Sequence, residues 1–184
     1  MKENWYNILL STGLLTLLLS ANGCLHRKKP TFVMKTISTE SAQEDAYETG
    51  CDSIAPENFG SMIEEASTEY GINPRAVAVT VYTESNCDPA AVGGAGEIGL
   101  GQIMPSVWVN KLVAEGIIHN KKDLFDPRKN IRATAYILSK CKKKHSPSPV
   151  RTFSCYNGSG ELAKRYAAKQ MKKYKRLWNE EPQV

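Results

Sequence analysis

Residues 83–105 read TESNCDPAAVGGAGEIGLGQIMP, and the five glycines between 93 and 101 decide the architecture. So many glycines in so short a stretch cost too much backbone entropy for a helix. A tight hairpin or an irregular loop is left. On both sides the punctuation is helical. Pro56 opens a stretch with Phe59, Ile63 and Ala66 at helical spacing, ending at Tyr70-Gly71. Asn73-Pro74 places an N-cap before a proline at the first helical position. The helix it opens, PRAVAVTVYTES, carries Val77, Val81 and Ser85 on one face and Glu84 in its last turn. Asp126-Pro127 repeats the device for a helix with Ile131, Ala135, Leu138 and Cys141 inward, and Ser148-Pro149 repeats it for a short helix reaching Tyr156. Asn157-Gly158 breaks the chain, and Ser159 is placed to cap a last helix with Leu162, Tyr166, Tyr174 and Leu177. The expected fold is mostly α, with one small glycine-rich hairpin or loop.

Within the glycine stretch, Gly94-Ala95-Gly96-Glu97-Ile98-Gly99 spells the G-x-G-x-x-G of dinucleotide-binding loops. That fingerprint requires a strand before it and a helix beginning inside it. Here a helix precedes it, Pro105 closes it, and no alternation of strands and helices follows. No Lys-Ser/Thr pair follows the glycines to make a P-loop. Nucleotide binding is therefore not expected. The net charge of +5 is too small to argue for a nucleic-acid partner, and the 184 residues hold one ordinary domain with short extensions.

The first 24 residues differ from the rest. After Lys2 and Glu3 comes an uncharged run from Asn4, apolar mostly over the roughly 14 residues from Ile8 to Ala21. A membrane-spanning helix needs roughly 20, so residues 1–24 are expected to be a secretory signal peptide. Its end, Ser20-Ala21-Asn22-Gly23-Cys24, resembles a bacterial lipobox, which would make Cys24 the lipidated first residue. Cleavage after Ala21 is the alternative. The basic residues His26 to Lys29 oppose the usual charge rule and keep an uncleaved anchor open. Residues 25–52, basic and then Thr/Ser/Glu-rich, read as a flexible tether, and residues 53–180 as the functional domain.

Beyond Cys24 there are four cysteines, Cys51, Cys87, Cys141 and Cys155. In an exported chain an even number suggests two disulfides, with three connectivities open. Cys141–Cys155 is expected because one residue ends a helix and the other lies on the next. Cys51–Cys87 is the complement and would pin the entry segment beside Glu84. No C-x-x-C is present and His26, His119 and His145 are scattered, so no metal site is expected.

Glu84 is the residue with chemistry to offer. At the C-terminal end of a helix the partial negative charge of the dipole disfavours a second negative charge and raises a carboxyl pKa. A glutamate still protonated near neutral pH can donate a proton to a leaving oxygen. Glycines nearby let the backbone approach an elongated ligand closely, as a sugar cleft requires.

Four blocks in order, TES, AVGGAGEIGLGQIMPSVW, LFDPRKNIRATAYILSK and SCYNGSG, resemble the soluble lytic transglycosylase family, glycoside hydrolase family 23. The resemblance covers about residues 54 to 178 and implies a lysozyme-like α fold that cleaves peptidoglycan. It makes Glu84 the sole catalytic acid/base and Ser85 the serine that follows it. It places Gln102 and Met104 on the cleft, and Tyr156 and Asn157 opposite the glutamate. Gly96, Gly99 and Leu100 become scaffold. The sequence departs from the family at Gly101, where Met is usual, and at Gly93, where Ser is frequent. Glu97 replaces a small residue and reads as solvent-facing. Cys155 replaces the common alanine and suits a bond to Cys141.

Most glycosidases flank the bond with two carboxylates about 5 to 9.5 Å apart. The resemblance implies the substrate-assisted exception. Glu84 would protonate the oxygen between N-acetylmuramic acid and N-acetylglucosamine while the acetamido carbonyl stabilises the cationic centre. Glu84 would then deprotonate the C6 hydroxyl, closing a 1,6-anhydro ring. Tyr156 would orient the reacting ring, and Gln102 with the ribbon backbone would position the glycan. Goose-type lysozymes are similar but carry aspartates to activate water, where this chain has Gly93 and Met104. A non-catalytic glycan-binding protein is the reading from another class. The expected partners are peptidoglycan strands and, through Cys24, the membrane. A monomer without cofactor is expected. The basic run Lys164 to Arg176 reads as a solvated helix face.

Overall fold

The computed structural model describes Cys51 and residues 59–184. The expected signal peptide, Cys24 and the tether lie outside those residues, apart from Cys51. Among the described residues six α-helices and one 3₁₀ turn follow one another: α1 (Phe59–Tyr70), α2 (Pro74–Ser85), α3 (Pro105–Ala114), the turn Lys121–Phe125, α4 (Pro127–His145), α5 (Pro149–Tyr156) and α6 (Gly160–Trp178). Between α2 and α3 the only pairing among the described residues is two isolated antiparallel bridges, Val92 with Ile98 and Ile98 with Ile103. The fold is mostly helical with a small glycine ribbon, as the spacing of caps and glycines requires.

Capping explains the boundaries. Asn73, Asp126 and Ser148 each accept a hydrogen bond from a backbone N–H in the first turn of α2, α4 and α5, and a proline follows each. Each such bond removes one unsatisfied donor from a helix start. Ser159 sits at the cap of α6 but its side chain makes no capping bond. Pro105 does more than close the ribbon, because it is the first residue of α3, a helix not expected from the sequence.

α4 is the centre of the domain. One side of it, through Ile131, Ala135 and Leu138, joins a core built with Phe59, Ile63, Val77, Val81 and Phe153. The other side, through Ala133, Tyr136 and Ile137, joins a second core with Ile98, Ile103, Leu112 and Leu124. α2 is enclosed differently from the single inward face expected. Every residue from Ala76 to Val81 is buried, because α1, α4 and α6 all pack against the helix. Burying each Val side chain contributes roughly 1.5–3 kcal/mol, which outweighs the weak helix propensity of β-branched residues. The helix is thereby a fixed post, and its last turn is held in place.

α6 buries a partly different set of residues from the four that mark it in the sequence. Leu162 is 76% exposed, and the inward stripe is Ala163, Ala167, Gln170 and Tyr174. Two alanines on that stripe suit a close approach of α6 to its neighbours, where a leucine would hold the helices apart.

Cys51 pairs with Cys87 across a sequence separation of 36, and Cys141 with Cys155 across 14. The second bond ties the end of α4 to α5. Changing Cys141 and Cys155 together to alanine is expected to lower unfolding free energy by roughly 3 kcal/mol in the chain-entropy model. Urea denaturation checks this, and an unchanged midpoint would rule the estimate out. No helix among the described residues is long and apolar enough to cross a membrane.

Candidate active site

A cleft of about 380 Å³ opens where α2 ends, lined by Glu84, Gly93, Gly94, Glu97, Gln102, Ile103, Met104, Trp108, Ile137, Tyr156 and Asn157. Gln102, Met104, Tyr156 and Asn157, all expected to touch a substrate, line it together with Glu84. Ser85 does not. Its hydroxyl turns back along the helix to Val81 O at 3.3 Å, which satisfies the helix end.

The ribbon reaches the cleft because it has no side chains where other elements come close. Gly99 N donates to Ala91 O at 2.8 Å and Ile98 exchanges both backbone bonds with Ile103. Gly99 is left-handed, with φ +72°, and a Cβ there would strike Leu124 O and the Asn130 amide. Asn130, buried in α4, organises this corner. Its Oδ1 accepts from Gly101 N at 2.8 Å, and its Nδ2 donates to Ile98 O at 3.0 Å and Leu124 O at 2.7 Å. Gly101 stands where methionine is usual in the resembled family, and the structure shows what uses the space. A Cβ at 101 would collide with Thr134 Oγ1 and come within 2.8 Å of the Tyr156 hydroxyl. That hydroxyl donates to Gly101 O at 2.8 Å, so the ring of Tyr156 is fixed against the ribbon at one end.

Glu84 is a half-buried carboxyl whose pKa is raised to about 7. Burial is the main cause, since it penalises the charged form. A hydrogen bond from the Tyr166 hydroxyl and the charge of Lys169 oppose the shift, and the charge of Glu97 adds to it. The helix-end dipole that drew attention to Glu84 is thus not the main influence. Tyr166 is itself well above the ordinary tyrosine pKa, from burial first and then the Glu84 charge. Behind it, the buried Gln170 donates through Nε2 to the Tyr166 oxygen and accepts from Thr83 Oγ1 at 3.4 Å. A relay from α6 therefore directs the Tyr166 proton at the carboxyl. Tyr156 is pushed well above its ordinary pKa by burial and then by Glu84, so it stays a neutral hydroxyl.

Sequence reading missed several of these residues. In the sequence Tyr166 is only one of the four residues, with Leu162, Tyr174 and Leu177, that mark the last helix. Gln170 could have flagged it, since a polar residue in an inward stripe needs a partner one turn away. Trp108 follows Met104 by four residues, one helical turn once Pro105 is known to start a helix, and presents a ring on which a sugar could stack. Lys111 lies 4.8 Å from that ring. Glu97, expected to face solvent, is half-buried and lines the cleft, because the tight turn Gly93 to Glu97 folds it back. Among the described residues no cluster of three or more His, Cys, Asp or Glu could hold a metal ion.

Residues 61–179 match the family model of the transglycosylase SLT domain. The chain is 30% identical over 112 residues to the "Transglycosylase" of Enterobacteria phage PRD1, covering 58% of this chain and 39% of that protein. It is 28% identical over 128 residues to membrane-bound lytic murein transglycosylase C of Mannheimia succiniciproducens, covering 64% of this chain and 36% of that one. Among solved structures it resembles an inactive mutant of lytic transglycosylase Slt from Pseudomonas aeruginosa, with TM-score 0.61 and 17% identity over 72% of this chain and 26% of that one. It also resembles the 70 kDa soluble lytic transglycosylase of Escherichia coli, with TM-score 0.58 and 15% identity over 66% and 25%. The chain thus spans well under half the length of each of these relatives.

Proposed function

The chain belongs to the transglycosylase SLT domain family, and on that footing we propose that it is a lytic transglycosylase of peptidoglycan with Glu84 as its single acid/base. The observation that carries this reading is a carboxyl with a pKa of about 7 that lines one cleft with Tyr156 and the glycine ribbon. At neutral pH a large fraction of it holds a proton, as the first step needs. Glu84 gives that proton to the glycosidic oxygen between N-acetylmuramic acid and N-acetylglucosamine. The acetamido carbonyl of the muramic acid supports the cationic carbon that results. Glu84, now ionised, takes the proton of the C6 hydroxyl as that oxygen closes the 1,6-anhydro ring. No water is consumed, and the carboxyl ends protonated as it began.

The remaining cleft residues hold the strand. Gln102, Met104, Tyr156 and Asn157 contact the glycan, Trp108 offers a stacking face, and Tyr166 holds the Glu84 carboxyl in one orientation. Residues 53–180 form the catalytic domain, carried by the tether 25–52 from a lipid on Cys24. The disulfides and the likeness to a protein named membrane-bound support an envelope location.

Intramolecular capture has the advantage of proximity, with effective molarities that reach about 10⁵–10⁸ M. Digestion of purified peptidoglycan is therefore expected to release muropeptides lighter by one water than the hydrolysed products, and resistant to borohydride. Mass spectrometry reads both properties. Glu97 in the cleft wall favours a second reading, hydrolysis as in a lysozyme, and mostly reducible muropeptides would decide for it.

A further inference from the structure

Gly93 has no backbone reason to be glycine. It is absent from the left-handed positions that require one, unlike Gly96 and Gly99 in the same ribbon. What excludes a side chain is occupancy. A Cβ on Gly93 would strike Oε2 of Glu97 and lie 2.7 Å from Oε1 of Gln102. Both oxygens converge on one point of the cleft wall, and both are held there. Glu97 Oε2 accepts from Ala95 N at 3.0 Å. Gln102 directs its amide nitrogen away, to Gly99 O at 3.0 Å and Ala91 O at 3.3 Å, which turns its carbonyl oxygen toward Gly93. Two acceptors over a bare backbone form a niche for a donor, since a carboxylate and an amide oxygen can only receive a proton there.

We infer that Glu97 is a substrate-contacting residue, and that with Gln102 it accepts a hydrogen bond from the acetamido N–H of the N-acetylhexosamine bound beside Glu84. The inference rests on reading the cleft as a glycan site. An acetamido group held by its N–H has its carbonyl fixed in direction. That is what a reaction assisted by the substrate's own carbonyl requires. Glu97 thereby supplies, from four residues further along, a polar contact in the space that a serine side chain at position 93 would occupy. The negative charge of Glu97 also acts on Glu84 in the direction that keeps its proton. One residue serves both ends of the reacting sugar.

The test is an exchange of the two positions. Glu97→Ala should lower kcat/KM on peptidoglycan about tenfold or more, the range for losing a hydrogen bond to a charged group. Gly93→Ser alone should also lose activity, because its side chain meets Glu97. Combining Gly93→Ser with Glu97→Ala should recover part of the loss, since the nearer clash is gone, the Gln102 oxygen 2.7 Å from that Cβ is the tip of a flexible side chain that can give way, and the hydroxyl serves as acceptor. Binding separates this from the reading of the reaction. In a Glu84→Gln background, calorimetric titration with tetra-N-acetylchitotetraose should show about tenfold weaker affinity when Glu97→Ala is added. Affinity unchanged by Glu97→Ala would overturn the inference, and so would additive losses in the double exchange. A Glu97→Ala variant that turns reducing products into anhydro products would overturn it too, in favour of a water-activating base. A wild type that binds the oligosaccharide through Glu97 but releases no muropeptide would fail the proposed reaction alone.

Discussion

Glu84→Gln is expected to slow peptidoglycan solubilisation by about 10²–10⁴-fold, the usual worth of a positioned proton donor. The amide keeps the shape of the side chain and its oxygen still accepts from Tyr166, so the fold and glycan binding should persist. Stability should move the other way, in a manner set by pH. The Glu84 pKa is about 7 in the folded chain against an ordinary value of 4.5. A pKa raised by folding contributes stability that is fully present below 4.5 and lost as pH rises through about 7. Near pH 8 the wild type carries a carboxylate that the cleft disfavours by up to roughly 3 kcal/mol, and glutamine removes that cost. The variant should therefore melt with the wild type at pH 4 and above it at pH 8. Wild-type activity should decline above about pH 7 as the donor proton is lost. Turnover of Glu84→Gln at wild-type rate would end the assignment, and identical melting curves at pH 8 would end the account of its pKa.

Asn130→Ala should be the most damaging single change away from the carboxyl. It orphans two backbone groups at once, Gly101 N and Leu124 O, and takes from Ile98 O one of its two donors, leaving it Ile103 N. Each buried unsatisfied group costs about 1–3 kcal/mol, so a loss of roughly 3–5 kcal/mol is expected, with the ribbon's position lost too. Asn130→Asp is the informative companion. It keeps the acceptor for Gly101 N but sets a carboxylate against two carbonyl oxygens, and should be comparably unstable. Guanidinium unfolding measures both. A loss under about 1 kcal/mol in each would mean that the ribbon does not depend on this side chain.

The helices were legible because their starts are local chemistry. Asn73-Pro74, Asp126-Pro127 and Ser148-Pro149 each state a cap and a first turn within two residues, and the structure places a helix at each. Glu84 was legible for a similar reason, since its position at the end of α2 can be counted from Asn73. What could not be counted was approach across the chain. Tyr166 comes to Glu84 from α6, the last helix, and only the packing of α6 on α2 brings it there. Leu162 misled because leucine outweighs alanine in any hydrophobic pattern, whereas the close face of α6 is built from alanines. Glu97 misled because a charged residue in a glycine turn is usually solvated, and nothing in its neighbours states that the turn folds it inward. Gly101 was legible as a departure from a pattern, but its cause lay in Thr134 on another helix.

α2 stops in an unusual way. Asn86 and Cys87 follow Ser85 with φ of 53° and 66°, two successive left-handed residues, neither of them glycine. Each such residue costs roughly 1–2 kcal/mol, and asparagine lowers that cost more readily than cysteine does. The tie from Cys87 to Cys51 offsets it, since the buried sulfur holds the second of these residues where it is. Where Cys51 and Cys87 are still thiols the tie is missing, and the backbone three residues past Glu84 is released from its least favourable conformation. The Cys51–Cys87 bond is therefore a brace for the end of α2 as well as a staple for the domain.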